Sequence, residues 1–111
     1  MSREIAESDW RVLRELKPIA LDRFCRRLLD EIGRIGLDSS RTNHERYLAI
    51  CRAVEDRDEE LADAFDGMRR SRAIQMICSL RRLGLLADEE FARFGDETRT
   101  AVNDLLGFAG R

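Results

Sequence analysis

Apolar residues recur every three or four positions through the first third of the chain, which is the spacing of one face of an α-helix. The stripe consists of Trp10, Leu13, Leu16, Ala20, Phe24, Leu28, Ile32 and Ile35. Ser8 or Asp9 can cap the start of such a helix. Pro18 interrupts it, because proline lacks an amide hydrogen and clashes with the carbonyl of Arg14. Either one kinked helix spans about 9–35 or two helices meet at Pro18, and the unbroken apolar phase favours the kinked helix.

A second segment begins at Thr42, which has the spacing of a capping box with Glu45. The apolar residues that follow keep helical phase as far as Gly67. They are Tyr47, Cys51, Val54, Leu61 and Phe65. Residues 55–60 are wholly polar. The sequence therefore leaves open whether they are helix or a hinge with Asp58 as a second cap.

Glycines that are followed by an apolar residue mark the predicted helix ends. The pairs are Gly36-Leu37, Gly67-Met68, Gly84-Leu85 and Gly107-Phe108. Glycine adopts the left-handed conformation at little cost, and the apolar residue after it can fold back onto the last turn, as in a Schellman motif. These stops indicate four or more helices.

The last third of the chain predicts shorter helices, which start at Ser71, at Asp88 and at Gly95-Asp96. Their apolar residues are Ile74, Met76, Ile77, Leu80 and Leu83, then Phe91 and Phe94, then Val102, Leu105 and Leu106. No segment alternates with period two and β-branched residues are sparse, so we predict an all-α fold. The expected architecture is a single-domain bundle of four to five helices over 1–111, with a long kinked N-terminal helix, short C-terminal helices and flexible ends at 1–7 and 108–111.

Composition narrows the functional classes. The 111 residues carry 20 Lys+Arg against 22 Asp+Glu, so no global field draws the chain to nucleic acid or anionic lipid. No apolar run is long enough to span a bilayer, and the charged start of the chain has no signal-peptide core. Three cysteines without a CxxC pair fit a reducing compartment, so we expect a cytoplasmic protein. Every basic residue except Lys17 is arginine, which is typical of a GC-rich bacterial genome.

Cysteine and histidine are the first candidate chemistry. Cys25, Cys51 and Cys78 each lie on or beside the apolar stripe of a different predicted helix. In an antiparallel bundle they could converge, and with His44 they would complete a set of three Cys and one His that zinc accepts. Structural zinc sites take closely spaced ligand pairs, however, and free cysteine packs as a small apolar residue. We predict that the cysteines pack in the core and that His44 lies on the surface.

Carboxylates are the second candidate. Glu59, Asp63 and Asp66 recur every three or four residues and so share one helix face. Such a row could hold a divalent cation through oxygen ligands. It lacks the EF-hand pattern and the Glu-x-x-His pair of di-iron bundles, so a solvated helix face is the preferred interpretation.

The sharpest feature is a set of arginines at the two ends of the predicted third helix: Arg69, Arg70, Arg72, Arg81 and Arg82. The first three repel the positive end of the helix dipole, whereas the last two complement its negative end. A phosphate-bearing ligand, an RNA or an acidic partner would answer the charge at 69–72. Asp66 and the carboxylates within 58–63 could also answer it internally, and internal or solvated pairing is favoured because the net charge is negative.

Motifs for catalysis are absent from the sequence, which contains no glycine-rich phosphate loop, nucleophile elbow or HExxH pair. The favoured function is therefore non-catalytic, through contacts with a protein partner or with a second copy, and we expect no cofactor or metal. Phe91, Phe94 and Phe108 lie on short helices that must dock on the long helices or on another subunit. The alternative is a nucleic-acid or phosphoanion-binding regulator that uses the arginines, and a third is a metal- or redox-responsive bundle built on the cysteines.

Overall fold

The computed structural model describes residues 4–107, which form five α-helices joined by short connections. The helices are α1 (Glu7–Gly36), α2 (Asn43–Phe65), α3 (Ala73–Arg82), α4 (Asp88–Phe91) and α5 (Asp96–Leu105), and a 3₁₀ turn over Arg70–Arg72 precedes α3. The described range contains no strand, and the all-α prediction is confirmed. None of the helices within it is long and apolar enough to cross a membrane.

α1 is a single helix that runs through Pro18, as the unbroken apolar phase predicts. The bend at Pro18 stays a prediction. The predicted start of the helix is wrong, because Ala6 precedes the first turn and both Ser8 and Asp9 lie inside the helix. Asp9 faces the interior and is only 6% exposed, so its carboxylate is placed to serve another part of the chain.

Asp9 caps α5 from a distance. One carboxylate oxygen accepts a hydrogen bond from the Gly95 amide at 2.9 Å, and the other accepts one from the Thr98 hydroxyl at 2.6 Å. Gly95 immediately precedes α5 and has no side chain with which to cap it. A carboxylate at a helix N-terminus satisfies free amides and complements the dipole. The first turn of α1 therefore fixes where α5 begins.

The predicted capping box starts α2. The Thr42 amide donates to the Glu45 carboxylate at 2.7 Å, and the Glu45 amide donates to the Thr42 hydroxyl at 3.1 Å. Two orphan amides of the first turn are thus satisfied by side chains, as the spacing predicts.

The polar stretch 55–60 is helix, so the hinge interpretation, with Asp58 as a second cap, is wrong. Arg57 supplies the physical reason. It donates to Glu31 of α1 at 3.4 Å and to Glu60 one turn ahead on α2. Ion pairs to the neighbouring helix and along the same helix take the place of apolar packing in this stretch.

The end of α3 is the Schellman motif that its glycine predicts. Gly84 has a φ of 69°, the Leu85 amide donates to the Leu80 carbonyl at 2.8 Å, and the Gly84 amide donates to the Arg81 carbonyl at 3.0 Å. Leu85 is fully buried, so the apolar residue after the glycine folds back onto the protein.

The other predicted stops differ among themselves. Gly67 and Gly107 also have positive φ, of 67° and 79°. Gly36 does not, because it is the last residue of α1 and the chain turns at Leu37, which is 85% exposed. Phe108 lies outside the described residues.

The start of α3 is also corrected. The helix begins at Ala73 after the 3₁₀ turn, and Ser71 lies within that turn and caps nothing. Nearer the N-terminus, Ile5 is 6% exposed and joins the core, although it falls in the predicted flexible end. The remainder of that prediction, residues 1–3 and 108–111, lies outside the described range.

The short C-terminal helices dock within the chain. Phe91 and Phe94 are buried, with ring centroids 6.2 Å apart. They belong to one core cluster whose other large members include Leu13, Leu16, Phe24, Phe65, Ile77, Leu80, Leu85 and Val102. The core therefore joins the first half of α1, the end of α2 and the C-terminal helices.

The core occupies only one end of an elongated molecule. The principal extents are 52 × 28 × 23 Å and the radius of gyration is 17.0 Å, whereas a compact chain of this size has a radius of about 13 Å. No residue from 25 to 52 is buried. We call this segment, which contains the end of α1, the start of α2 and the loop between them, the hairpin arm.

Replacement of Phe94 by alanine should lower the free energy of unfolding by about 3–5 kcal/mol, because the ring is 2% exposed and its loss leaves a cavity. Urea denaturation followed by circular dichroism measures this.

The matched control is Leu105→Ala. Leu105 is 63% exposed, so its replacement should change the free energy of unfolding by less than about 0.5 kcal/mol. Equal losses in the two variants would contradict the placement of the C-terminal helices.

Candidate functional site

The five arginines singled out by the sequence lie at the two ends of α3. Arg69, Arg70 and Arg72 precede its first residue, and Arg81 and Arg82 form its last turn. A helix of 10 residues separates the two groups by about 15 Å. They therefore do not converge on one small ligand.

Arg70 is paired inside the protein. Its Nε and Nη2 both donate to the Ile5 carbonyl at 3.1 Å, and its Nη1 donates to the Glu7 carboxylate at 3.0 Å. The pairing is internal, as favoured, but the partner is Glu7 at the start of α1 rather than Asp66 or the carboxylates within 58–63. Arg70 thus ties the turn before α3 to the N-terminus.

Arg69 and Arg72 are exposed, and within residues 4–107 their side chains make no ion pair. Arg82 is also exposed, at the far end of α3. Anion binding at these three positions stays a prediction.

Three arginines bind the connection between α3 and α4. Arg27 donates to the carbonyls of Leu83 and Gly84. Arg23 donates to the Leu85 carbonyl at 2.9 Å. Arg81 donates to the Leu86 carbonyl at 3.2 Å. Four successive carbonyls at the negative end of α3 are thus covered by cations, which the planar, many-donor guanidinium group suits.

Arg81 makes two further contacts that commit it to the fold. Its Nη1 lies 3.1 Å from the Asp88 carboxylate, and its guanidinium carbon lies 4.4 Å from the centre of the Phe91 ring. The second distance is that of a cation–π contact. Arg81 therefore positions α4 and is not a free anion ligand.

Glu90 locks α4 onto α1. Its two oxygens accept from Arg23 at 2.6 and 2.9 Å, and one of them also accepts from the Ala87 amide at 2.8 Å. The hydrogen bonds from Arg23 hold the pKa of the Glu90 carboxyl below its ordinary value. The pair joins a helix of four residues to the long helix beneath it.

The cysteines occupy three different environments. Cys78 is buried, as predicted, and burial raises the pKa of its thiol. The core prediction is wrong for Cys25, which is exposed, and Cys51 is half-buried. Within residues 4–107, no group of three or more His, Cys, Asp and Glu side chains is placed to hold a metal ion.

The remaining polar candidates lie on the surface, as predicted. His44 is exposed in the first turn of α2. Glu59, Asp63 and Asp66 are exposed as well, so the carboxylate row is a solvated helix face.

The hairpin arm exposes large apolar side chains on both helices, and the predicted apolar stripes include Tyr47 but neither Leu29 nor Leu48. Leu29 is 67% exposed and Leu48 is 47% exposed, beside Tyr47 at 63%. The signal was present as the doublets Leu28-Leu29 and Tyr47-Leu48. A second apolar residue next to one in the stripe widens the apolar sector of a helix by about 100°.

These residues lie on one flank of α1 and on the flank and outer side of α2. On α1, Cys25, Leu29 and Ile32 lie on the flank reached by turning about 50–100° from the line of Leu28 and Ile35. On α2, Tyr47 and Cys51 lie about 80–120° around the helix from Arg57, which contacts Glu31 of α1, and Leu48 lies about 180° from it, on the side that faces away from α1. We call this set the apolar face: Cys25, Leu29, Ile32, Tyr47, Leu48 and Cys51.

The opposite side of the hairpin is charged. A cleft of about 490 Å³ lies there, lined mainly by Arg27, Asp30, Glu31, Arg34, Arg57 and Glu60. Arg27 and Arg34 lie about 140–160° around α1 from Leu29. The charged cleft and the exposed leucine of α1 thus lie on different sides of that helix.

Comparisons of the chain with protein-family models, with curated proteins and with solved structures gave no significant match. The function is therefore inferred from the contacts and exposed surfaces of residues 4–107.

Glu90 makes stability depend on pH. The carboxyl group has a lower pKa when folded than when unfolded, where it is about 4.3. The Glu90 carboxylate therefore makes its full contribution to the free energy of unfolding above the unfolded pKa, and that contribution is lost as the pH falls through the folded pKa. Glu90→Gln should lower the free energy of unfolding by about 1–2 kcal/mol at neutral pH and flatten its decline below pH 4.3.

Denaturation of the wild type and of Glu90→Gln at a series of acidic pH values measures this difference in the free energy of unfolding. Glu89→Gln is the control, because Glu89 is an exposed neighbour. If the Glu89→Gln and Glu90→Gln curves coincide at every pH, the Arg23–Glu90 lock does not stabilise the fold.

Proposed function

We propose that this chain is a non-catalytic, cytoplasmic protein that acts through protein–protein contacts, including contacts with its own copies, made by the hairpin arm. The observation that carries the proposal is that no residue from 25 to 52 is buried although the arm presents an apolar face. Soluble monomers rarely expose contiguous apolar surface, and where it occurs it marks an interaction site.

Helix packing supports the same conclusion. Helices are stabilised mainly by burying an apolar face against a neighbouring layer. Apart from the contact of Arg27 with the end of α3, α1 and α2 have only each other in the arm. The residues along their line of contact are therefore half-buried, and the flank of each helix stays in solvent. A partner that covers this flank supplies the missing layer.

The thiols support a cytoplasmic location and a non-catalytic role. Cys25 is exposed and Cys51 is half-buried, and accessible unpaired thiols persist in a reducing compartment. Burial raises the pKa of the Cys78 thiol, which disfavours the nucleophilic thiolate.

The second candidate is a nucleic-acid or phosphoanion-binding regulator. Arg69 and Arg72 favour it, since both are exposed and their charges are not answered within the described residues. Arg70 and Arg81 count against it, because internal carbonyls and carboxylates occupy them. Of the five arginines at the ends of α3, Arg69, Arg72 and Arg82 are then left for a polyanion, and the chain has a net charge of −2.

Co-purification tests the proposed function. A tagged wild-type chain expressed in its host should recover a stoichiometric protein partner, which can be the untagged chain itself. The double variant Leu29→Glu, Leu48→Glu should lose that partner, because charge on the apolar face opposes burial.

Leu105→Glu is the matched control, since Leu105 is as exposed as Leu29 but lies on α5. It should retain the partner. Equal recovery by the double variant and the wild type would rule out the arm as the contact element.

Salt dependence tests the second candidate. Fluorescence anisotropy measures the binding of a labelled single-stranded RNA. If the chain acts through protein contacts, the wild type, Arg69→Gln and Arg72→Gln should give the same signal. An association constant that falls steeply with salt, with similar losses in both variants, would instead favour the nucleic-acid function.

A further inference from the structure

We draw no further inference here: the strongest candidate, the cavity of about 340 Å³ that Glu4, Asp9 and Glu97 line between the start of α1, the first turn of α5 and the turn before α3, is an acidic cluster whose one buried carboxylate, that of Asp9, is already committed to capping α5, so nothing in it identifies a ligand.

Discussion

The three C-terminal helices are too short to cover the two N-terminal ones. α3 and α5 have 10 residues each and α1 has 30, so the lengths are about 15 Å against about 45 Å. A core forms only where a helix has another layer to pack on. The buried residues of α1 accordingly end at Phe24. The hairpin arm is the part of α1 and α2 that no third helix covers beyond the contact of Arg27 with the end of α3. The elongated shape and the exposed leucines follow from that mismatch.

Polar contacts from the start of the chain hold the short helices in place. α4 has four residues and cannot be stable in isolation. The Arg23–Glu90 pair fixes it, Asp9 fixes the start of α5, and Arg70 ties the turn before α3 to the N-terminus. Apart from Arg27, which binds the end of α3 from the first turn of the arm, these anchors come from outside the arm. Core and polar anchors are thus concentrated at one end of the molecule, which leaves the arm structurally free to bind.

Local patterns in the sequence predicted local structure well. The Thr42–Glu45 capping box and the stop at Gly84 were predictable because each motif is complete within six residues or so. The partners of Asp9 and Arg70 were not, because they lie far away along the chain. The predicted stripe of α1 leaves out Leu29, which the sequence marks only through the doublet Leu28-Leu29. Whether another helix covers Leu29 depends on the relative lengths and placement of all five helices.

Hydrogen exchange of the backbone amides, recorded at low and at high protein concentration, tests whether copies of the chain contact each other through the arm. Such contacts should leave residues 25–52 in fast exchange in the dilute protein and protect them markedly at high concentration. The amides of α3 and α5 should exchange at the same rate in both samples, since their layer lies within one chain. Protection of the arm that does not change with concentration would rule out contacts between arms, because the hairpin would then be stable without a second copy.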